Sequence, residues 1–220
     1  MSLRTRVKFC GMTRAEDAAL AVALGVDAIG LVFVPQSRRA VDVEQARAVI
    51  AAIPALVQVV GLFMDASAQS VHAVLSQVQI DLLQFHGSES AAYCEQFPRP
   101  YLKAIAMGSA QSPDDQAELT DLAQRFHSAR GLLLDAHSPG KSGGSGEAFD
   151  WERIPATLAP RILLAGGLSA INVARAIEVV RPYAVDVSSG IESAPGIKCP
   201  QRMQNFMNEV NRVSARSGRG

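Results

Sequence analysis

Along the chain, short apolar runs alternate with longer stretches whose apolar positions recur every three to four residues. The runs are VKFCGM (7–12), DAIGLVF (27–33), VQVVGLF (57–63), DLLQFHG (81–87), YLKAIAM (101–107), GLLLDA (131–136), RILLAGG (161–167) and AVDVSSG (184–190). Their length and β-branched content read as strands. Residues 14–25, 43–53, 68–78 and 170–180, with a last stretch at about 200–213, carry the one-sided spacing of amphipathic helices. The pattern predicts a strand followed by a helix, repeated eight times.

Strands that are apolar almost throughout suit a parallel sheet covered on both faces. A unit of roughly 25–30 residues matches the compact form of the eight-fold βα barrel, whose lower size limit is about 200 residues. A doubly wound open sheet is the alternative, but its nucleotide site needs G-x-G-x-x-G after the first strand, where this chain reads CGMT. The expected fold is therefore α/β, a single (βα)8 barrel domain over residues 1–220, with a frayed basic tail at about 214–220.

Charge adds little to this picture and removes several partners from it. With 21 basic and 21 acidic side chains the net charge is zero, so no general field draws the chain to nucleic acid or an anionic membrane. The tail holding Arg212, Arg216 and Arg219 is read as solvated. No apolar run approaches the ~18 residues of a membrane span, and MSLRTR has no signal-peptide core. Cys10, Cys94 and Cys199 are an odd, scattered set, unlike a disulfide framework or a C-x-x-C metal site. These features predict a cytoplasmic protein.

In a barrel, chemistry belongs where the strands end, because the βα loops build that face. Cys10, Arg39, Gln84, His86, Asp135, Gly166, Gly167, Asp186, Ser188, Ser189 and Gly190 all fall there. Alternation along a strand puts Lys8 with Cys10, Gln84 with His86, and Asp186 with Ser188 on shared faces. At ~3.3 Å per residue, Lys8 lies roughly 6–7 Å from Cys10, near enough for an ammonium to favour the thiolate. The bland reading of Cys10 is a small buried hydrophobe. Asp135 ends an apolar strand and can serve as a proton donor, or simply bond turn amides. After it comes a glycine-rich loop of the kind that closes over substrate. Its GKS (140–142) is not a P-loop, since Asp135 stands where the first glycine belongs. AGGLS (165–169) and VSSGIE (187–192) place backbone amides where barrels hold phosphate, after strands 7 and 8.

The stretches VKFCGMT, DAIGLVFVPQSRR, LLQFHG, LLLDAHSPGKSGGSGEAFDW, LLAGGL and VRPYAVDVSSGIE, in this order, resemble the phosphoribosylanthranilate isomerase family of tryptophan biosynthesis. The resemblance implies a single (βα)8 barrel catalysing an Amadori rearrangement. N-(5-phosphoribosyl)anthranilate becomes 1-(2-carboxyphenylamino)-1-deoxyribulose 5-phosphate, with no cofactor and no metal. It also implies Cys10 as general base, Asp135 as general acid and Arg39 as the partner of the anthranilate carboxylate. Gly166, Gly167, Ser188, Ser189 and Gly190 then hold the phosphate, while Gln84, His86 and Asp186 complete the substrate-binding mouth. The partner is a phosphorylated small molecule, with neither nucleic acid nor membrane, and the assembly is a monomer or a homodimer. Two other classes compete. A metal-dependent sugar-phosphate epimerase would need paired His and Asp ligands, for which only His86 and His137 are near the mouth. A non-catalytic phosphosugar-binding module would leave Cys10 and Asp135 as packing residues.

Overall fold

The computed structural model describes residues 4–107, 115–136 and 150–217. Eight parallel strands close into a barrel in sequence order: β1 (Arg6–Cys10), β2 (Ala28–Val32), β3 (Gln58–Phe63), β4 (Leu82–Phe85), β5 (Tyr101–Ala106), β6 (Gly131–Asp135), β7 (Ile162–Leu164) and β8 (Ala184–Val187). Closure is made by β1 against β8, with Lys8 opposite Asp186. Around the barrel run α1 (Ala15–Ala23), α2 (Val43–Ile50), α3 (Ala68–Leu75), α4 (Ala91–Glu95), α5 (Asp115–Arg125), α6 (Val173–Val180) and α7 (Pro200–Ser217).

The strand pattern has a direct physical cause. Residues such as Ile29, Leu83, Leu132 and Val185 point out into the layer shared with the helices, while Ala28, Val60, Leu82, Leu102, Leu133 and Leu163 fill the barrel interior. Both faces of each strand are thus apolar, as a parallel sheet between two buried layers demands. Helix starts follow local chemistry: Asp42 and Gln45 form a reciprocal capping box on α2, and Ser67 and Ser90 cap α3 and α4.

Three features depart from the simple repeat. Among the described residues the β6–β7 connection holds two 3₁₀ turns, Trp151–Arg153 and Ala159–Arg161, and no α-helix. After β8 the chain makes a small antiparallel pair, β9 (Glu192–Ala194) and β10 (Ile197–Lys198), before α7. The last helix also runs on to Ser217, into the stretch expected to fray. Its apolar side explains the extension, since Met203, Phe206, Met207, Val210 and Val213 are all buried.

Candidate active site

Two cavities mark the ends of the barrel. The larger, about 540 Å³, opens at the strands' N-terminal ends beside Arg6, Asp27 and Arg130. The smaller, about 220 Å³, lies at the C-terminal ends and is lined by Arg39, His86, Asp135, Asp186 and residues 165–168 and 187–189. Both hold charged side chains, but of the two only the second joins Asp135 and His86 to the turns after β7 and β8, so size is the poorer guide here.

Asp135 ends β6 and turns its carboxylate towards His86, whose Nε2 stands 3.3 Å from Asp135 Oδ2. The other ring nitrogen, Nδ1, meets Gln84 Nε2 at 3.0 Å. Gln84 is fully buried and sits behind His86, off the cavity wall. The backbone under His86 is fixed from outside the barrel. There the buried Lys103 pairs with Glu89 at 2.9 Å and donates to the Gly87 carbonyl, while Glu89 accepts from the Gly87 and Asp65 amides.

Cys10 ends β1 and is 6% exposed, just off the wall of the same cavity. Beside it Lys8 Nζ donates to Asp186 Oδ1 at 2.7 Å. Gly30 on β2 makes room for this group, since a Cβ there would stand 2.7 Å from Cys10 Sγ and 3.0 Å from Lys8 Nζ. Burial pushes the Cys10 thiol above its ordinary range, and the Asp186 carboxylate adds to that. The Lys8 ammonium pulls the other way without reversing the shift. Sequence alone offers Lys8 as a means to the thiolate; in the folded barrel desolvation outweighs it. Lys8 itself is penalised by burial, yet Asp186 and Cys10 hold it above the ordinary lysine range and therefore charged.

Arg39 reaches the mouth from the loop after β2. Its Nε and Nη2 donate to Glu192 Oε1 and Oε2 at 2.8 and 2.7 Å, leaving Nη1 without a bond among the described residues. Gly11, at φ +72°, lets it lie close, because a Cβ there would come within 2.5 Å of Arg39 Cδ. Glu192 also takes a bond from Lys198 Nζ at 2.8 Å, and Lys198 donates onward to the Cys10 carbonyl at 2.6 Å. Burial would raise the Glu192 carboxyl, but Arg39 and Lys198 hold it below the usual carboxylate range. Burial lowers Lys198, partly offset by Glu192.

The turns after β7 and β8 are neighbours. A Cβ at Gly190 would fall on the Leu168 carbonyl oxygen, and Gly166 and Gly167 both have positive φ. Asn172 ties the first turn down, accepting from the Ser169 amide and donating to the Gly167 carbonyl. Among the described residues, no bond occupies the amides of Gly166, Gly167, Leu168, Ser188, Ser189 or Gly190. Amides without a bond in two neighbouring turns that line one cavity suit an oxyanion.

Sequence reading overlooked Gly30, Glu89, Lys103, Glu192 and Lys198. Lys103 carried a signal, being a lone charge inside an apolar strand; Lys198, in APGIKCP, carried none. The GKS segment, His137 and most of the glycine-rich loop fall within 137–149, outside the described residues.

Together these features define a (βα)8-barrel protein whose C-terminal mouth combines an acid, a thiol and loop amides free for an anion. A family model for N-(5'phosphoribosyl)anthranilate (PRA) isomerase matches residues 7–209, and the chain belongs to that family. It is similar to N-(5'-phosphoribosyl)anthranilate isomerase of Nitrosococcus oceani, at 49% identity over 96% of this chain and 100% of the relative. The solved phosphoribosyl anthranilate isomerase of Thermotoga maritima superposes with a TM-score of 0.80 at 34% identity, covering 94% of this chain and 99% of that one. A further solved phosphoribosyl anthranilate isomerase is in complex with reduced 1-(o-carboxyphenylamino)-1-deoxyribulose 5-phosphate. It matches with a TM-score of 0.77 at 33% identity, over 94% of this chain and 99% of that one.

Proposed function

We propose that this protein isomerises N-(5'-phosphoribosyl)anthranilate to 1-(2-carboxyphenylamino)-1-deoxyribulose 5-phosphate, a step of tryptophan biosynthesis, by acid–base catalysis at the C-terminal mouth. The observation that carries the mechanism is the meeting of Asp135, Cys10 and the unpaired turn amides at one end of the barrel.

The phosphate rests on the amides after β7 and β8, and the anthranilate carboxylate takes the free Nη1 of Arg39. Asp135, in its acid form, gives a proton to the ribose ring oxygen. The ring C–O bond breaks as the anthranilate nitrogen forms an iminium with C1′. The iminium acidifies C2′–H, which the Cys10 thiolate removes, leaving an enolamine. The enol hydroxyl then returns a proton to the Asp135 carboxylate while C1′ takes one from the thiol, so both groups end as they began. Lys8 supplies the positive charge that lowers the cost of the thiolate, and Asp186 holds Lys8 in place. His86 and Asp186 face the ligand from the wall, and Gln84 reaches it through His86.

Among the described residues no helix is long and apolar enough to cross a membrane. Three free cysteines suit a reducing cytoplasm, where we place the protein. The test is loss of anthranilate fluorescence when purified protein meets N-(5'-phosphoribosyl)anthranilate. Persistence of the signal at stoichiometric protein would leave a binding module in place of an enzyme.

A further inference from the structure

The short β9–β10 pair carries Lys198 under the mouth of the barrel. Its side chain is closed to solvent and stands off the cavity wall. The three hydrogens of the ammonium meet three acceptors: the Cys10 carbonyl at 2.6 Å, Glu192 Oε1 at 2.8 Å and the Ser188 carbonyl at 3.2 Å, with Ser188 Oγ farther off at 3.5 Å. The backbone around Lys198 is anchored from other elements. Its own amide donates to the buried Asp17 of α1, Thr13 Oγ1 donates to the Gly196 carbonyl, and the Cys199 amide donates to the Ile191 carbonyl. Burying an ammonium is costly, and an apolar side chain of similar size often serves stability as well or better. The use of this one lies in what it holds.

The Ser188 carbonyl and the Ser189 amide belong to one trans peptide plane, in which C=O and N–H point in opposite directions. A carbonyl drawn down onto Lys198 therefore sends the amide the other way. Ser188 and Ser189 line the cavity and Lys198 does not, so that way leads to the cavity. There the Ser189 amide has no bond among the described residues. The same carbonyl has a second donor, the Ile191 amide at 3.4 Å. The ammonium is closer and charged, which makes it the stronger of the two. Arg39 and Lys198 also share a single carboxylate, Glu192, which leaves a net positive charge beside the turn.

We propose that Lys198 is a positioning residue of the anion site. By holding the Ser188 carbonyl it aims the Ser189 amide at the phosphate of a sugar-phosphate ligand, while touching no ligand atom itself. The proposal rests on the phosphate lying against the turns after β7 and β8.

Lys198→Met keeps most of the bulk, removes the donors and leaves Glu192 on Arg39. Calorimetry with a phosphorylated product analogue and with its dephosphorylated form gives a ratio of affinities, in which any effect of the variant on the anthranilate end cancels. That ratio should fall roughly tenfold or more, as for the loss of one charged hydrogen bond. A wild-type ratio, with both affinities unchanged or lowered alike, overturns the proposal and leaves Lys198 a purely structural residue. A second measurement uses the wild-type protein and does not need the variant to fold. On titration with inorganic phosphate, the amide protons of Ser189 and Gly167 should both move downfield and saturate together. A Ser189 amide that stays in place while that of Gly167 moves removes the role of Lys198 alone. If neither moves, the phosphate reading falls and the proposal falls with it.

Discussion

Lys8 and Asp186 meet at 2.7 Å inside the barrel, where β1 closes against β8, and both side chains are buried. A buried pair of this kind is costly to break from one side, by about 3–5 kcal/mol, because the surviving charge has no solvent. Lys8→Met should therefore lower the unfolding midpoint sharply, and Lys8→Met with Asp186→Leu should recover most of the stability. Turnover should not return in the double variant, since the ammonium that favours the Cys10 thiolate is gone. Recovery of both stability and activity would show the pair to be structural only.

Cys10 titrates above an ordinary thiol, because burial disfavours its charged form more than Lys8 favours it. The difference in ultraviolet thiolate absorbance between wild type and Cys10→Ser should have its midpoint above about 8.5. Lys8→Met should push it higher still. A midpoint below neutrality would mean that the resting enzyme holds a thiolate. Turnover in Cys10→Ser should fall by about 10²–10⁴-fold, the usual contribution of a general base.

Gly30 exists to leave room. In Gly30→Ala the new methyl group would crowd Cys10 Sγ and Lys8 Nζ, and overpacking of this sort costs roughly 1–3 kcal/mol. The circular dichroism spectrum should stay that of the wild type, while kcat drops with the displaced thiol. Wild-type kcat would show that the sulfur has slack.

Glu192 gives a stability term with a definite sign in pH. Its carboxyl is held below the ordinary range by Arg39 and Lys198 against the effect of burial. Its contribution is thus present above about 4.3, the unfolded glutamate value, and fades as pH falls through the lower folded value. The stability gap between wild type and Glu192→Gln, measured by urea unfolding, should be widest near pH 7 and narrow below pH ~4. A gap independent of pH would show that size, and not charge, is what Glu192 supplies. The variant should also raise KM, because Arg39 loses the carboxylate that orients it.

Gly190→Ala would press a methyl group onto the Leu168 carbonyl and part the turns after β7 and β8. If their amides share one phosphate, the affinity for a phosphorylated product analogue should fall at least tenfold, the equivalent of losing a single charged hydrogen bond. Calorimetry with the analogue and with its dephosphorylated form makes the comparison. Equal losses for both would place the phosphate elsewhere.

The order of the strands, the closed barrel and the end at which the candidate groups gather were legible in the sequence, whereas the helix expected between β6 and β7 is replaced by two 3₁₀ turns among the described residues. The legible features depend on short-range periodicity and on a topology that follows chain order. Lys8 beside Cys10, Gln84 beside His86, and the pairing of the last two turns were legible for the same reason, since two-residue alternation and neighbouring strands place them. What tertiary structure decided is everything that depends on contacts across the barrel or beneath a loop. The Lys8–Asp186 pair joins residues 178 positions apart, and Lys198 reaches the Cys10 carbonyl over 188. The state of Cys10 was also beyond a linear reading. Proximity to an ammonium can be counted along a strand, but the desolvation that outweighs it comes from the surrounding barrel. Local pattern thus determined which groups stand at the mouth, and packing decided which are charged, which are paired and which are left free to bind.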